Sequence, residues 1–147
     1  MPARHAMSTA ADAGHRIVPH TADLRLEAWG PTRERCAAEA VRALVGSFAD
    51  LEAAQPVGTR ERAVVATSDS DLLVAVLDEI IYHLDTAREL PSRAEVTATP
   101  EGARLRFEAV DIAGAVLIGP VPKAVSLHEL RFEPTLDGWC CSVTVDV

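Results

Sequence analysis

Lysine is almost absent from this chain: Lys123 is the single one among 14 basic residues, which face 22 acidic residues for a formal charge of −8. So few cationic side chains argue against broad, high-affinity binding of nucleic acid, which rests mainly on Lys and Arg at phosphates. A protein partner that itself binds nucleic acid stays open. Aromatic residues are scarce as well, at 4%, so the core must be built from Leu, Val, Ile and Ala. Cysteine is limited to Cys36, Cys140 and Cys141. The odd count and the lack of any C-x-x-C or Cys/His spacing argue against a disulfide framework and a zinc site. They read as small apolar residues in or near the core, which fits a reducing cytoplasm. No apolar run approaches ~18 residues, so no membrane span is expected. Residues 1–16 lack the continuous apolar segment of a signal peptide.

The chain has 147 residues, 48% of them hydrophobic. That is enough for one domain that buries roughly 70% of its unfolded surface without staples. Residues 1–16 read as a loose tail and 17–147 as the domain. In Asp23 to Trp29, Leu24, Leu26 and Ala28 alternate with Asp23, Arg25 and Glu27, the period of a half-buried strand. Gly30-Pro31 predicts a turn with proline at the first helical position. From Thr32 to Phe48, apolar residues recur at three and four, an amphipathic helix. Residues 53–60 read as a loop broken by Pro56 and Gly58, followed by a short strand to Thr67. Ser68 to Asp71 has capping-box spacing. The helix after it, to about Ala87, carries the stripe Leu72, Leu73, Val76, Leu77, Ile80, Ile81 and Leu84. Asp71, Asp78, Glu79, His83 and Asp85 are assigned to a solvated face.

The last third reads as β-structure. Segments 93–99 and 103–109 flank a Pro100-Glu101-Gly102 hairpin, 111–122 is a loop, 124–132 a strand, and Trp139 to Val147 the closing strand after Asp137-Gly138. The fold class is α+β: two amphipathic helices packed on a mixed or antiparallel sheet. In the closing strand Cys141, Val143 and Val145 share the apolar face, while Ser142, Thr144 and Asp146 share the polar one. If this strand pairs antiparallel with the first, Asp23 meets Asp146 at one sheet edge. Two carboxylates ~5 Å apart repel by about 3 kcal/mol at an effective dielectric near 20. A cation, a basic side chain or solvent must offset that. Oxygen-only ligands favour Mg, Mn or Ca.

Four segments in order resemble the archease family. These are His20-Thr21-Ala22-Asp23, then Asp71-Leu72-Leu73 leading into Asp78-Glu79-Ile80-Ile81-Tyr82, then Lys123-Ala124-Val125-Ser126-Leu127-His128, and the ending Val145-Asp146-Val147. The family usually has Thr-Tyr at Ser126-Leu127. The resemblance implies a single-domain archease-like layer fold and a non-catalytic, cytoplasmic accessory protein. Its partner would be an RtcB-type RNA ligase of tRNA splicing and RNA repair. Its role would be to promote ligase guanylylation and multiple turnover. The implied site for a divalent metal (Ca, Mg or Mn) is Asp23, Asp146 and the main-chain carbonyl of Val147.

Lys123 belongs to a functional motif of that family, and a compact amine is chemically distinct from the guanidinium used elsewhere in the chain. His20 either orients Asp23, touches the ligase or holds its own turn. His128 is a functional candidate with a plain strand role as the competing assignment. Two further classes remain in view: a small metal-dependent hydrolase using the aspartates to activate water, and a chaperone-like module with exposed apolar surface. The first lacks an accompanying nucleophile, general base or phosphate loop.

Overall fold

The computed structural model describes residues 12–19 and 23–147. Strand β1 is Gly14–Pro19 and β2 is Asp23–Gly30; helix α1 is Arg33–Gly46, followed by the short β3, Ala49–Asp50. Strand β4, Pro56–Val65, leads into α2, Asp69–Ala87. Then come β5, Glu89–Thr99, β6, Gly102–Asp111, a 3-10 turn at Ile112–Gly114, β7, Val116–Leu117, β8, Ala124–Pro134, and β9, Trp139–Asp146. The strands form a four-stranded sheet β1-β2-β9-β8, a three-stranded sheet β4-β6-β5 and the ribbon β3-β7. The pairings are antiparallel. This is the expected α+β fold, with its strands divided between two main sheets.

Both helices touch both sheets. Helix α1 packs on β2 and β9 of one and β5 of the other; α2 packs on β8 of the first and on β4 and β5 of the second. A helix held from two sides needs small side chains where elements approach closely. The α1 sequence supplies Ala37, Ala40 and Ala43, each with no exposed surface, beside Leu44 and Val41. Six of the seven α2 stripe residues are buried as the spacing predicts, Leu73, Val76 and Leu77 completely, while Ile81 is half-buried. Ser68 caps α2 by accepting from the Asp71 N–H at 3.1 Å, and Thr32 caps α1 by accepting from Arg35 at 3.0 Å. Pro31 therefore stands before the cap, outside the helix.

Several boundaries differ from the sequence expectation. Strand β1 reaches back past Ile17 to Gly14, because an edge strand with one sheet neighbour tolerates the polar His15 and Arg16. Strand β4 begins at Pro56, and a bulge between Pro56 and Gly58 absorbs both breakers. Gly102 pairs with Thr99 across a loop of Pro100 and Glu101 alone. The expected loop at 111–122 contains the 3-10 turn and β7, whose partner β3 lies far away in sequence. Strand β8 runs on to Pro134 with a register shift between Ser126 and Arg131.

His83 is also a correction. It is 3% exposed, a buried polar side chain of the core, and does not lie on a solvated face. Its Nδ1 is 3.3 Å from an Arg62 nitrogen, its Nε2 is 2.9 Å from Glu89 Oε1, and its ring meets Phe107 edge-on at 5.1 Å. Arginine can only donate, so Nδ1 accepts and Nε2–H donates to Glu89. Arg60 pairs with the same carboxylate at 2.8 Å. The Arg60 guanidinium first, and then the His83 bond, hold the Glu89 carboxyl below its ordinary range. A depressed carboxyl pKa stabilises the fold above the unfolded value, about 4.3; this is lost as pH falls through the folded value. Glu89→Gln is expected to lower stability by about 1–3 kcal/mol at pH 7. In urea unfolding the loss should shrink as pH falls through the folded value, where the wild-type carboxylate itself becomes protonated.

Candidate functional site

Antiparallel pairing of β2 with β9 runs in register from Gly30↔Trp139 to Asp23↔Asp146. The two aspartates are thus directly opposite, as their places at the start of one strand and the end of the other require. Alternation puts both on the polar face, because Leu26, Ala28, Cys141, Val143 and Val145 fill the core on the other. Asp23 is half-buried and Asp146 exposed. Partners in such a pair have Cα atoms ~4.5–5.5 Å apart, and like charges placed opposite are destabilising.

Strand β8 flanks β9 on its other side. Ala124 pairs with Asp146, and the Lys123 main-chain N–H donates to the Asp146 carbonyl at 2.8 Å. The unique lysine, exposed, therefore stands beside the aspartate row, one strand from Asp23. Val147 follows Asp146 directly. His128 is separated from this group. It sits in the β8 bulge, 84% exposed, with Nε2 3.8 Å from Glu129 and its N–H donating to Ser126 Oγ. His20 lies outside the described residues.

Two carboxylates opposite each other in register, with main-chain oxygens at the same strand ends, would make a hard, all-oxygen donor set, which suits Mg, Mn or Ca over softer metals. Among the described residues no three His, Cys, Asp or Glu side chains converge as a metal cluster. A cation here would take two side-chain carboxylates and complete its shell from main chain and water.

Farther along the same face lies a shallow groove of about 360 Å³ lined by Arg16, Arg25, Trp29, Arg131, Glu133 and Ser142, among others. Its guanidiniums are already engaged. Arg16 pairs with Glu27 at 3.1 Å, Arg131 with Glu133 at 3.0 Å, and Arg25 donates to Ser142 at 2.9 Å. The Trp29 indole covers Gly14, where a Cβ would lie 2.5 Å from the ring. The groove is therefore an ion-paired sheet surface with a cross-strand aromatic lid on glycine.

The cysteines are structural. Cys36 and Cys141 are buried. The Cys36 thiol is pushed far up, first by its hydrogen bond with Cys141 and then by burial. Burial likewise raises Cys140. Thiols held protonated are poor nucleophiles.

Sequence reasoning missed the Arg60–Glu89–His83–Arg62 cluster. The signal was available: His83 follows Val76 by seven and Ile80 by three, which places it on the buried stripe of α2.

A small α+β domain, with helices held between two antiparallel sheets and a facing aspartate pair at one sheet end, defines a class of fold already known from solved structures. One is the solution structure of Methanobacterium thermoautotrophicum protein 1598, with TM-score 0.68 and 20% identity, covering 91% of this chain and 99% of that one. Another is the Thermotoga maritima crystal structure described as an archease and possible chaperone. It has TM-score 0.64 and 19% identity, and covers 90% and 96% of the two chains. The archease protein family (MTH1598/TM1083) matches residues 15–147, and the chain belongs to that family. It is 53% identical over 135 residues to the "Probable protein archease" of Mycobacterium tuberculosis, covering 92% of this chain and 75% of that protein. It is 26% identical over 145 residues to the Methanosarcina barkeri protein archease, at 90% and 95% coverage. No helix among the described residues is long and apolar enough to cross a membrane.

Proposed function

We propose that this protein is a non-catalytic activator of an RtcB-type RNA ligase of tRNA splicing and RNA repair in the cytoplasm, promoting ligase guanylylation and repeated turnover. The observation that carries the reading is the Asp23↔Asp146 register in an archease-family chain, with Lys123 bonded through its main chain to Asp146. Asp23, Asp146 and the main-chain carbonyl of Val147 would hold a divalent cation. When bound, the cation would supply charge stabilisation for phosphate groups, the service divalent metals give phosphoryl chemistry. The aspartates' share is to bind and orient it. Lys123 adds one compact positive charge at the rim of an otherwise acidic edge. An acidic surface also favours encounter with a basic, RNA-binding active site.

The test follows transfer of labelled GMP to the cognate ligase in excess RNA, with this protein at substoichiometric amounts and Mg, Mn or Ca present. The expected result is many turnovers in place of one, and no ligation by this protein alone. No acceleration with any of the three metals would overturn the reading.

A further inference from the structure

The segment 116–121 reads Val-Leu-Ile-Gly-Pro-Val, and its large side chains face water: Val116 is 60% exposed, Leu117 51%, Ile118 62% and Val121 41%. Leu127, at the β8 bulge, is 70% exposed. Single exposed apolar residues are ordinary; four in six consecutive positions are not. The backbone that presents them is pinned. Val116 and Leu117 pair with Asp50 and Ala49, and the Ile118 N–H donates to the Phe48 carbonyl at 2.8 Å. Gly119 lies so close to the chain end of α1 that a Cβ would fall 2.5 Å from the Ser47 carbonyl. The lip is preorganised, which lowers the ordering cost of binding.

Its place in the fold ties it to the aspartate pair. Strand β2 leaves Asp23 and runs eight residues, about 26 Å. Helix α1 then returns 14 residues, about 21 Å. The Ser47–Phe48 segment that anchors the lip is thereby carried back toward the Asp23 end. From the other side, Lys123, two residues after the lip, donates its main-chain N–H to the Asp146 carbonyl.

We infer that this lip is the docking surface for the partner, and that the partner face has an apolar centre ringed by Arg and Lys. The inference rests on the proposed function, under which that face belongs to the ligase. Charge selects the occupant. Asp50 faces Val116 across the ribbon, exposed Asp111 precedes the segment by five residues, and Asp146 takes the Lys123 main-chain N–H beyond its far end, so three carboxylates flank the lip against the one Lys123 amine. A second copy, also at −8, and an anionic membrane surface would both be repelled. Docking at the lip would place the aspartate pair at the contact, so binding and stimulation are separable functions of neighbouring residues.

The experiment measures ligase guanylylation against increasing concentrations of wild type, Leu117→Ser/Ile118→Ser and Val116→Ser/Val121→Ser. Both double variants should unfold like wild type and keep divalent-cation affinity. Each should need at least tenfold more protein for half-maximal stimulation, while reaching the wild-type maximum. Wild-type stimulation with unchanged half-saturation in both variants would overturn the docking surface alone. No stimulation by wild type overturns the proposed function and this inference with it. Concentration-dependent wild-type dimers in sedimentation, abolished in the variants, would assign the lip to a second copy and overturn the inference.

Discussion

Asp146→Ala is expected to leave the fold intact and abolish stimulation of the ligase at every concentration of this protein. Asp146 is exposed at the end of β9 and makes no core contact through its side chain; its structural bonds in the sheet belong to the main chain. Removing the carboxylate halves the side-chain charge available to a divalent ion. It also removes a like-charge neighbour of Asp23, so thermal stability without metal should hold or rise slightly. Calcium or manganese titration should show affinity reduced by at least tenfold, and Asp23→Ala should behave alike. This loss of maximum rate contrasts with the expected behaviour of the lip variants, which shift half-saturation. If both aspartate variants titrate metal as wild type does, the cation site is wrong.

Leu77→Ala is expected to cost about 3–5 kcal/mol. Leu77 has no exposed surface and sits mid-helix in the main core cluster with Leu73, Val76 and Ile80. Truncation loses the transfer energy of the deleted atoms and leaves a cavity. Because α2 packs on strands of both sheets, neighbours cannot collapse inward from one side without leaving contacts on the other. Against a total stability of typically 5–15 kcal/mol, the variant should be marginal at 37 °C. Leu117→Ala, at 51% exposure, should lie within about 0.5 kcal/mol of wild type. Chemical denaturation of the two leucine variants separates core from surface directly: a Leu77→Ala cost below about 1 kcal/mol would mean that α2 does not bury its stripe.

The sequence by itself determined those features that depend on local periodicity. The alternation in residues 23–29 and 139–147, the three-and-four recurrence in α1 and α2, and the Ser68 cap follow from which side chains can face a core or satisfy a helix end. Hence both strands, both helices and the polar face that carries Asp23 and Asp146 were legible. Their meeting was conditional, since pairing is a long-range fact. The register from Gly30↔Trp139 to Asp23↔Asp146 turns a possible neighbour into a direct one. Only the tertiary structure decided the rest. Pro56 opens a strand and Gly58 sits inside it because a bulge and a sheet partner accommodate them, where local preference alone reads a loop. Residues Val116–Leu117 became a strand because Ala49–Asp50, remote in sequence, offered free backbone groups. His83 entered the core because Arg62, Glu89 and Phe107 converge on it from three different strands. Local pattern specifies what each segment can be, and burial between two sheets selects which of its polar groups find partners.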